Sequence, residues 1–278
     1  MAGRAPRTRA GTVLTAMDLG LAGRAYYVTG GSRGIGRAVA ALLLAEGAAV
    51  ATCARDTAAL EQMRAALPPE HAARLLTHTA DVRDAAALEQ AVGQALERFG
   101  RLDGVLANAG AGISGSVLRT PEPEWHNQFQ VKVGSVLNLV TAALPALCES
   151  DAGRVVVVNG VTAHAPDPGM AAVSATRAAV ANLTRSLAVE LAPSGVLVNA
   201  ISLGAITTDR QHARYLAAGT AEPFEDWCAA EASRRGILLG RFGTPQDVAP
   251  VAALLLSPIC CYVTGSSIDV SGGAGGRT

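Results

Sequence analysis

Val28-Thr29-Gly30-Gly31-Ser32-Arg33-Gly34-Ile35-Gly36 is the stretch that decides the fold of this 278-residue chain. A β-rich apolar run at 26–29 leads into it, and a helix-forming apolar run at 34–46 follows. Glycines at 30, 34 and 36 let the backbone turn tightly and approach a bulky anion. The N-terminus of the following helix offers free N–H groups and the positive end of its dipole. The spacing is Gly-x-x-x-Gly-x-Gly, not Gly-x-Gly-x-x-Gly. It predicts a pyrophosphate-binding turn after the first strand.

Outward from this turn, strands are expected at 26–29, 48–53, 75–80, 104–107, 154–159, 197–201 and 267–270. Helices are expected between them at 34–46, 57–67, 84–99, 121–148, 169–191 and 244–256. Near-continuous apolar strands alternating with helices predict a parallel sheet covered on both faces. Right-handed crossovers then give a single doubly wound α/β domain of seven parallel strands, with ligands at the carboxyl ends. The domain is expected at 17–278, opening at Met17-Asp18-Leu19, behind a disordered or mis-started tail at 1–16. Residues 207–239 break the alternation and carry Tyr215, Phe224 and Trp227. A long aromatic-bearing insertion at the ligand face reads as a substrate lid, or else as a helical excursion packed on the body.

Composition narrows the class. Half the residues are hydrophobic and formal net charge is zero, so a globular fold is expected and a nucleic-acid partner has no electrostatic support. The apolar runs 38–45 and 248–256 are too short to span a bilayer. The five cysteines are scattered, which suits free thiols in a reducing cytoplasm. No histidine pair has metal-ligand spacing, so no metal is expected.

Together with Asp81-Val82, Asn108-Ala109-Gly110 and the segment Gly265-Ser266-Ser267-Ile268-Asp269-Val270-Ser271-Gly272-Gly273, the glycine turn resembles the short-chain dehydrogenase/reductase family over roughly residues 20–273. The resemblance implies a Rossmann-type fold and a nicotinamide dinucleotide cradled by Gly30, Ser32, Arg33, Gly34, Ile35 and Gly36. It also implies that Asp81 and Val82 border the adenine and that Asn108 and Gly110 steady the central strand beside the cofactor. Gly204-Ala205-Ile206-Thr207-Thr208 resembles the family's Pro-Gly-x-x-x-Thr segment, with Leu203 in the proline's place and Gly204 and Thr208 kept. At the second strand's tip, Thr52-Cys53-Ala54-Arg55 has no carboxylate for a ribose 2′-hydroxyl. Arg33 and Arg55 suit a 2′-phosphate, and Asp56 sits at a helix N-cap. NADP(H) is expected over NAD(H).

The family's acid–base set is absent at the matching positions. By resemblance its serine falls on Gly160, its tyrosine on Val173, its lysine on Arg177 and its asparagine on Lys132. Gly160 has no hydroxyl, and Val173 has no proton to give. Arg177 stays protonated, and it can hold the nicotinamide ribose or an anion. Lys132 is the only lysine in the chain. Desolvated beside Arg177, its pKa falls into the range useful for proton transfer, whereas a lysine snorkelling from a helix face has no such role. His164, Thr162 and Tyr215 are further candidates for acid–base or hydroxyl functions. Gly160, Thr162, Val173, Leu203, Phe224 and Trp227 are expected to line an apolar substrate pocket.

Three functions stay open. One is hydride transfer to an unusual acceptor, an iminium or conjugated C=C, in a bulky small molecule. Another is a redox-neutral cyclase, isomerase or dehydratase working by substrate orientation and one acid–base group. The third is a non-catalytic partner of an active dehydrogenase. The resemblance also implies a homodimer or homotetramer built through the helices at 121–148 and 169–191.

Overall fold

Every apolar run that alternates with a helix becomes a strand, and the seven pair in parallel in the order β3-β2-β1-β4-β5-β6-β7. In the computed structural model, which describes residues 17–275, the chain opens with β1 (Ala25–Thr29), α1 (Gly34–Ala45), β2 (Ala49–Ala54), α2 (Thr57–Ala65), the short α3 (Pro69–Ala72) and β3 (Leu75–Thr79). It crosses back through α4 (Ala85–Phe99) to β4 (Gly104–Ala107), then α5 (Glu122–Phe129), α6 (Ser135–Glu149), β5 (Arg154–Gly160) and α7 (Ala171–Leu191). β6 (Leu197–Leu203), α8 (Asp209–Ala218), α9 (Phe224–Arg234), α10 (Pro245–Leu256) and β7 (Ser267–Val270) complete it. The tail read at 1–16 lies outside the described residues.

Strand side chains alternate faces, so each strand feeds two cores. Tyr27, Ala51, Val105 and Val155 face α4, α6 and α7. Tyr26, Val28, Val50, Leu106 and Val156 face α1 and α10. Burying a leucine such as Leu43 or Leu139 contributes about 2 kcal/mol. The strand order reverses between β1 and β4, and that reversal opens a crevice at their carboxyl ends.

At the opposite, amino end of the sheet Asp103 is buried. It accepts hydrogen bonds from Arg24 (3.0 Å), Arg101 (2.6 Å), Ser150 Oγ (2.7 Å) and the Ala25 N–H (3.0 Å). This network ties β1, β4 and the end of α6 together, far from the crevice.

Two features differ from expectation. The helix expected at 121–148 is interrupted by a π-helical turn, Gln130–Gly134, between α5 and α6. The continuous segment Glu122–Glu149 is also long and apolar enough, by composition, to cross a membrane, unlike the shorter runs noted in the sequence. Here Leu139, Val140, Ala143 and Leu147 pack it against the sheet. The insertion at 207–239 folds as α8 and α9. Trp227, Ala232 and Ile237 pack with Ala205, Phe242 and Ala274 of the body in a small third core, onto which Tyr215 and Phe224 pack.

Candidate active site

The glycine turn at the end of β1 forms the floor of a cleft of about 820 Å3 at the carboxyl edge of the sheet. Gly30 has φ +68°, and a Cβ on it would lie 2.9 Å from Ala109 Cα. Gly34 has φ +54°, so a side chain at either position is strained. Asn108 Nδ2 donates to the carbonyls of Thr29 (3.0 Å) and Gly30 (3.1 Å) and fixes the turn from β4. The N-terminus of α1 has no side-chain cap, whereas Asp56 caps α2 through the Ala59 N–H at 3.0 Å. Free N–H groups beside a cradle without side chains fit a dinucleotide pyrophosphate.

Gly30, Ser32, Arg33, Gly34, Ile35, Arg55, Asp81, Val82, Asn108, Gly110, Arg177 and Thr208 all line the cleft. Gly36 and Gly204 do not. A Cβ on Gly36 would collide with the Gly30 carbonyl, and one on Gly204 would lie 2.8 Å from Ser271 Cα. Both are close-packing glycines behind the wall. At the β2 end, Arg33 pairs with Asp56 at 2.7 Å and lies 3.6 Å from Asp209. One Asp56 oxygen caps α2 and the other takes Arg33, so its carboxylate is committed within the protein. Asp81 is held by the Arg83 side chain at 2.6 Å, which keeps its carboxyl below the usual value.

Three cations meet at the other end. The π turn lengthens the helix by one backbone step and directs Lys132 into the cleft. Its Nζ donates to the Ala111 carbonyl at 3.1 Å. Burial, then the charges of Arg177 and Arg210, push its pKa down to about 7. Arg177 lays its guanidinium across Gly160, where a Cβ would sit 2.6 Å from Cζ. It donates to Thr162 Oγ1 at 2.9 Å, and its backbone carbonyl accepts from Asn159 Nδ2 at 3.0 Å. Burial, then Arg210, lower its pKa to about 10. Arg210, in the first turn of α8, lies against Gly112 with 2.7 Å between Nη1 and a notional Cβ.

The sequence pattern described as Enoyl-(Acyl carrier protein) reductase matches residues 30–275. The chain belongs to the short-chain dehydrogenase/reductase family. It is 34% identical over 246 residues to 2-(S)-hydroxypropyl-CoM dehydrogenase 3 of Xanthobacter autotrophicus, covering 88% of this chain and 94% of that one. Among solved structures it resembles a short chain oxidoreductase of Pseudomonas aeruginosa PAO1 described as containing an atypical catalytic center. That likeness has TM-score 0.87 and 39% identity over 94% of this chain and all of the other. The same protein has been solved with NADPH bound. L-sorbose reductase of Gluconobacter frateurii, solved with NADPH and L-sorbose, aligns with TM-score 0.89 and 25% identity over 94% of this chain and 100% of its own.

Within this short-chain dehydrogenase/reductase frame several expected site residues stand elsewhere. His164 is exposed beyond the short turn Val161–Ala163 and does not line the cleft. Val173 is wholly buried behind the wall. Gly160 is hidden under Arg177, and Thr162 is taken up as that arginine's acceptor. The Tyr215 phenol donates to the Glu222 carbonyl at 2.6 Å, and its ring packs edge-on to Phe224 and Trp227. These aromatics build the small core between the insertion and the body rather than a substrate wall. Tyr26 and Tyr27 are buried in the sheet and Tyr262 is fully exposed, so no tyrosine lines the cleft. Of the expected apolar wall only Leu203 faces the cleft, and the surface there is cationic. Arg210 escaped notice in the sequence. One signal marks it: a cation in the first turn of a helix opposes the helix dipole. Among the described residues no group of three His, Cys, Asp or Glu side chains could hold a metal ion.

Proposed function

We propose that this protein is an NADP(H)-dependent reductase of a carbon–carbon double bond conjugated with a carbonyl, in which Arg177 holds the oxygen and Lys132 delivers the proton. The carrying observation is the Lys132–Arg177 pair standing in the family's cofactor cleft where no tyrosine reaches. Gly30, Gly34 and the α1 N-terminus would hold the pyrophosphate, and Arg33 and Arg55 a 2′-phosphate. When bound, the nicotinamide supplies hydride. Commitment of Asp56 to its helix cap and to Arg33 favours NADP(H), as does NADPH in the Pseudomonas and Gluconobacter relatives.

Three cations oppose a cationic iminium and favour an acceptor that gains negative charge on oxygen as hydride adds to its β-carbon. Arg177, fixed by Thr162 and by its place over Gly160, stabilises that enolate oxygen without moving. Lys132, with a pKa near the working pH, passes its proton to the α-carbon and is reprotonated from solvent. A homo-oligomer is part of the same proposal, supported by Phe129 and Leu137, which stand exposed on the 122–149 helix.

The test is absorbance at the nicotinamide band with NADPH and a panel of 2-enals, 2-enones and 2-enoates. Loss of absorbance with a saturated product, slowed in Lys132→Met, supports the proposal. Product without net cofactor change would favour the redox-neutral alternative.

A further inference from the structure

We infer that Lys132, Arg177 and Arg210 form a recognition site for a carboxylate carried by the substrate, so that the acceptor is an unsaturated acid rather than a neutral enone or enal. This rests on the reductase proposal only in taking the bound acid to be a substrate.

Among the described residues eight arginines form ion pairs with acids, while Lys132, Arg177 and Arg210 form none. Other arginines also lack an acid partner, Arg55 at the β2 side of this cleft among them, but these three gather together at its other end. Arg177 and Arg210 each lie where a glycine leaves room, at Gly160 and Gly112, and Lys132 Nζ stands 3.8 Å from the notional Cβ of Gly110. Their only side-chain hydrogen bonds are neutral ones, Lys132 to the Ala111 carbonyl and Arg177 to Thr162 Oγ1. Arg210 also sits against the positive end of α8's dipole. Like charges gathered and partly desolvated destabilise the empty cleft, and an anion relieves all three at once.

The cofactor's own phosphates do not account for the cluster. Strand order puts β2, with Arg55 just beyond its tip and Arg33 reaching it from the β1–α1 turn, on one side of the β1/β4 crevice. β5 and α7, which carry Gly160 and Arg177, lie on the other. Planar guanidinium forks match the two oxygens of a carboxylate, and Arg177 spends only one N–H on Thr162. A neutral amide of the same shape would leave the charges unmatched.

The single lysine makes a direct test. Protein grown with 15N,13C-lysine gives one ε-ammonium resonance, whose pH midpoint is followed with NADP+ saturating. Millimolar crotonate is expected to raise that midpoint by at least about half a unit, a threefold gain in proton affinity. Crotonamide, and sodium chloride at matched ionic strength, should leave it in place. Arg210→Gln should lose the response while binding NADP+ as before, and Arg210→Lys should keep it. Equal shifts with crotonamide or chloride, or no shift with crotonate, would overturn the inference. A response to inorganic phosphate but not crotonate would also overturn it, since the head group would then be phosphoryl. Repeating the crotonate series without NADP+ separates the two ideas: failure to bind NADP+ sinks the cofactor proposal alone.

Discussion

The guanidinium of Arg177 fills the space over Gly160, with Cζ 2.6 Å from where any other residue would place its Cβ. The two positions are therefore coupled. In the family resemblance Gly160 stands for the serine and Arg177 for the lysine. Here one long side chain occupies the place of the first from the backbone of the second. An arginine fork has been exchanged for a hydroxyl, and the oxygen-binding group is cationic.

Gly160→Ser is thus not a restoration of a missing hydroxyl. Its Cβ would push the Arg177 guanidinium off Thr162. The displaced atoms end a flexible side chain, so the fold should lose less than about 1 kcal/mol. Turnover should fall roughly tenfold or more, as positioned groups lose alignment. Thermal melts and steady-state rates on the same preparation check both halves.

Lys132→Met should slow reduction by about 10²–10⁴-fold, the usual worth of a positioned acid. Wild-type rates should decline as pH rises through about 7, where burial and the facing Arg177 and Arg210 charges place this ammonium, and the variant should lose that limb. Stability moves oppositely. The folded-state pKa lies below the unfolded value near ~10, so the unfolded chain binds more protons between them. Wild-type stability therefore gains a rising contribution with pH across that window. Lys132→Met should melt higher at neutral pH, by about 1 kcal/mol or more. A variant that melts lower, with an unchanged rate profile, would place Lys132 outside the chemistry.

Removing both Arg33 and Arg55 as alanines should weaken NADPH binding by about 1–3 kcal/mol while leaving NADH nearly unchanged. Fluorescence titration of the two cofactors gives the ratio. Equal losses for both would mean that the arginines act on the pyrophosphate or on the fold.

Asp103→Asn should cost about 1.5–3 kcal/mol without touching cofactor affinity, because Arg24 and Arg101 lose charge-assisted hydrogen bonds to a buried carboxylate and keep only Asp151 at the amino end of the sheet. Burial raises the Asp103 carboxyl pKa, but hydrogen bonds from Arg101, the Ala25 N–H and Ser150 outweigh it and hold the pKa low. Neighbouring Asp151 is held at about 2, chiefly by Arg24. Both contributions are complete above the unfolded carboxylate value near ~4 and are lost as pH falls below it. Chemical denaturation at pH 7 and in acid measures the difference.

Seven strands were legible because parallel strands buried on both faces leave uninterrupted apolar runs between helix-forming segments. Asp56 read correctly as an N-cap, and residues 30–36 correctly as a tight glycine turn between strand and helix, because each is a local backbone requirement. Gly36 and Gly204 were harder: glycines that admit a ligand and glycines that admit another strand or turn look the same in sequence. The π turn left no mark, since it is a shift in backbone hydrogen bonding; only the singular lysine drew attention to position 132. The aromatics of the insertion suggested a substrate wall, yet Tyr215, Phe224 and Trp227 satisfy one another. His164, at the end of the short turn after β5, and Arg210, in the first turn of α8 after β6, both follow strands, and nothing local says which one turns inward. Arg210 lies inward where Gly112, a tertiary neighbour, leaves room for its guanidinium.

The most direct measurement is the pH titration of the single Lys132 ε-ammonium resonance in the resting, lysine-labelled protein. A proton donor lodged beside Arg177 and Arg210 predicts a midpoint of about 7. A midpoint near the ordinary ~10 of a solvated lysine would contradict the account.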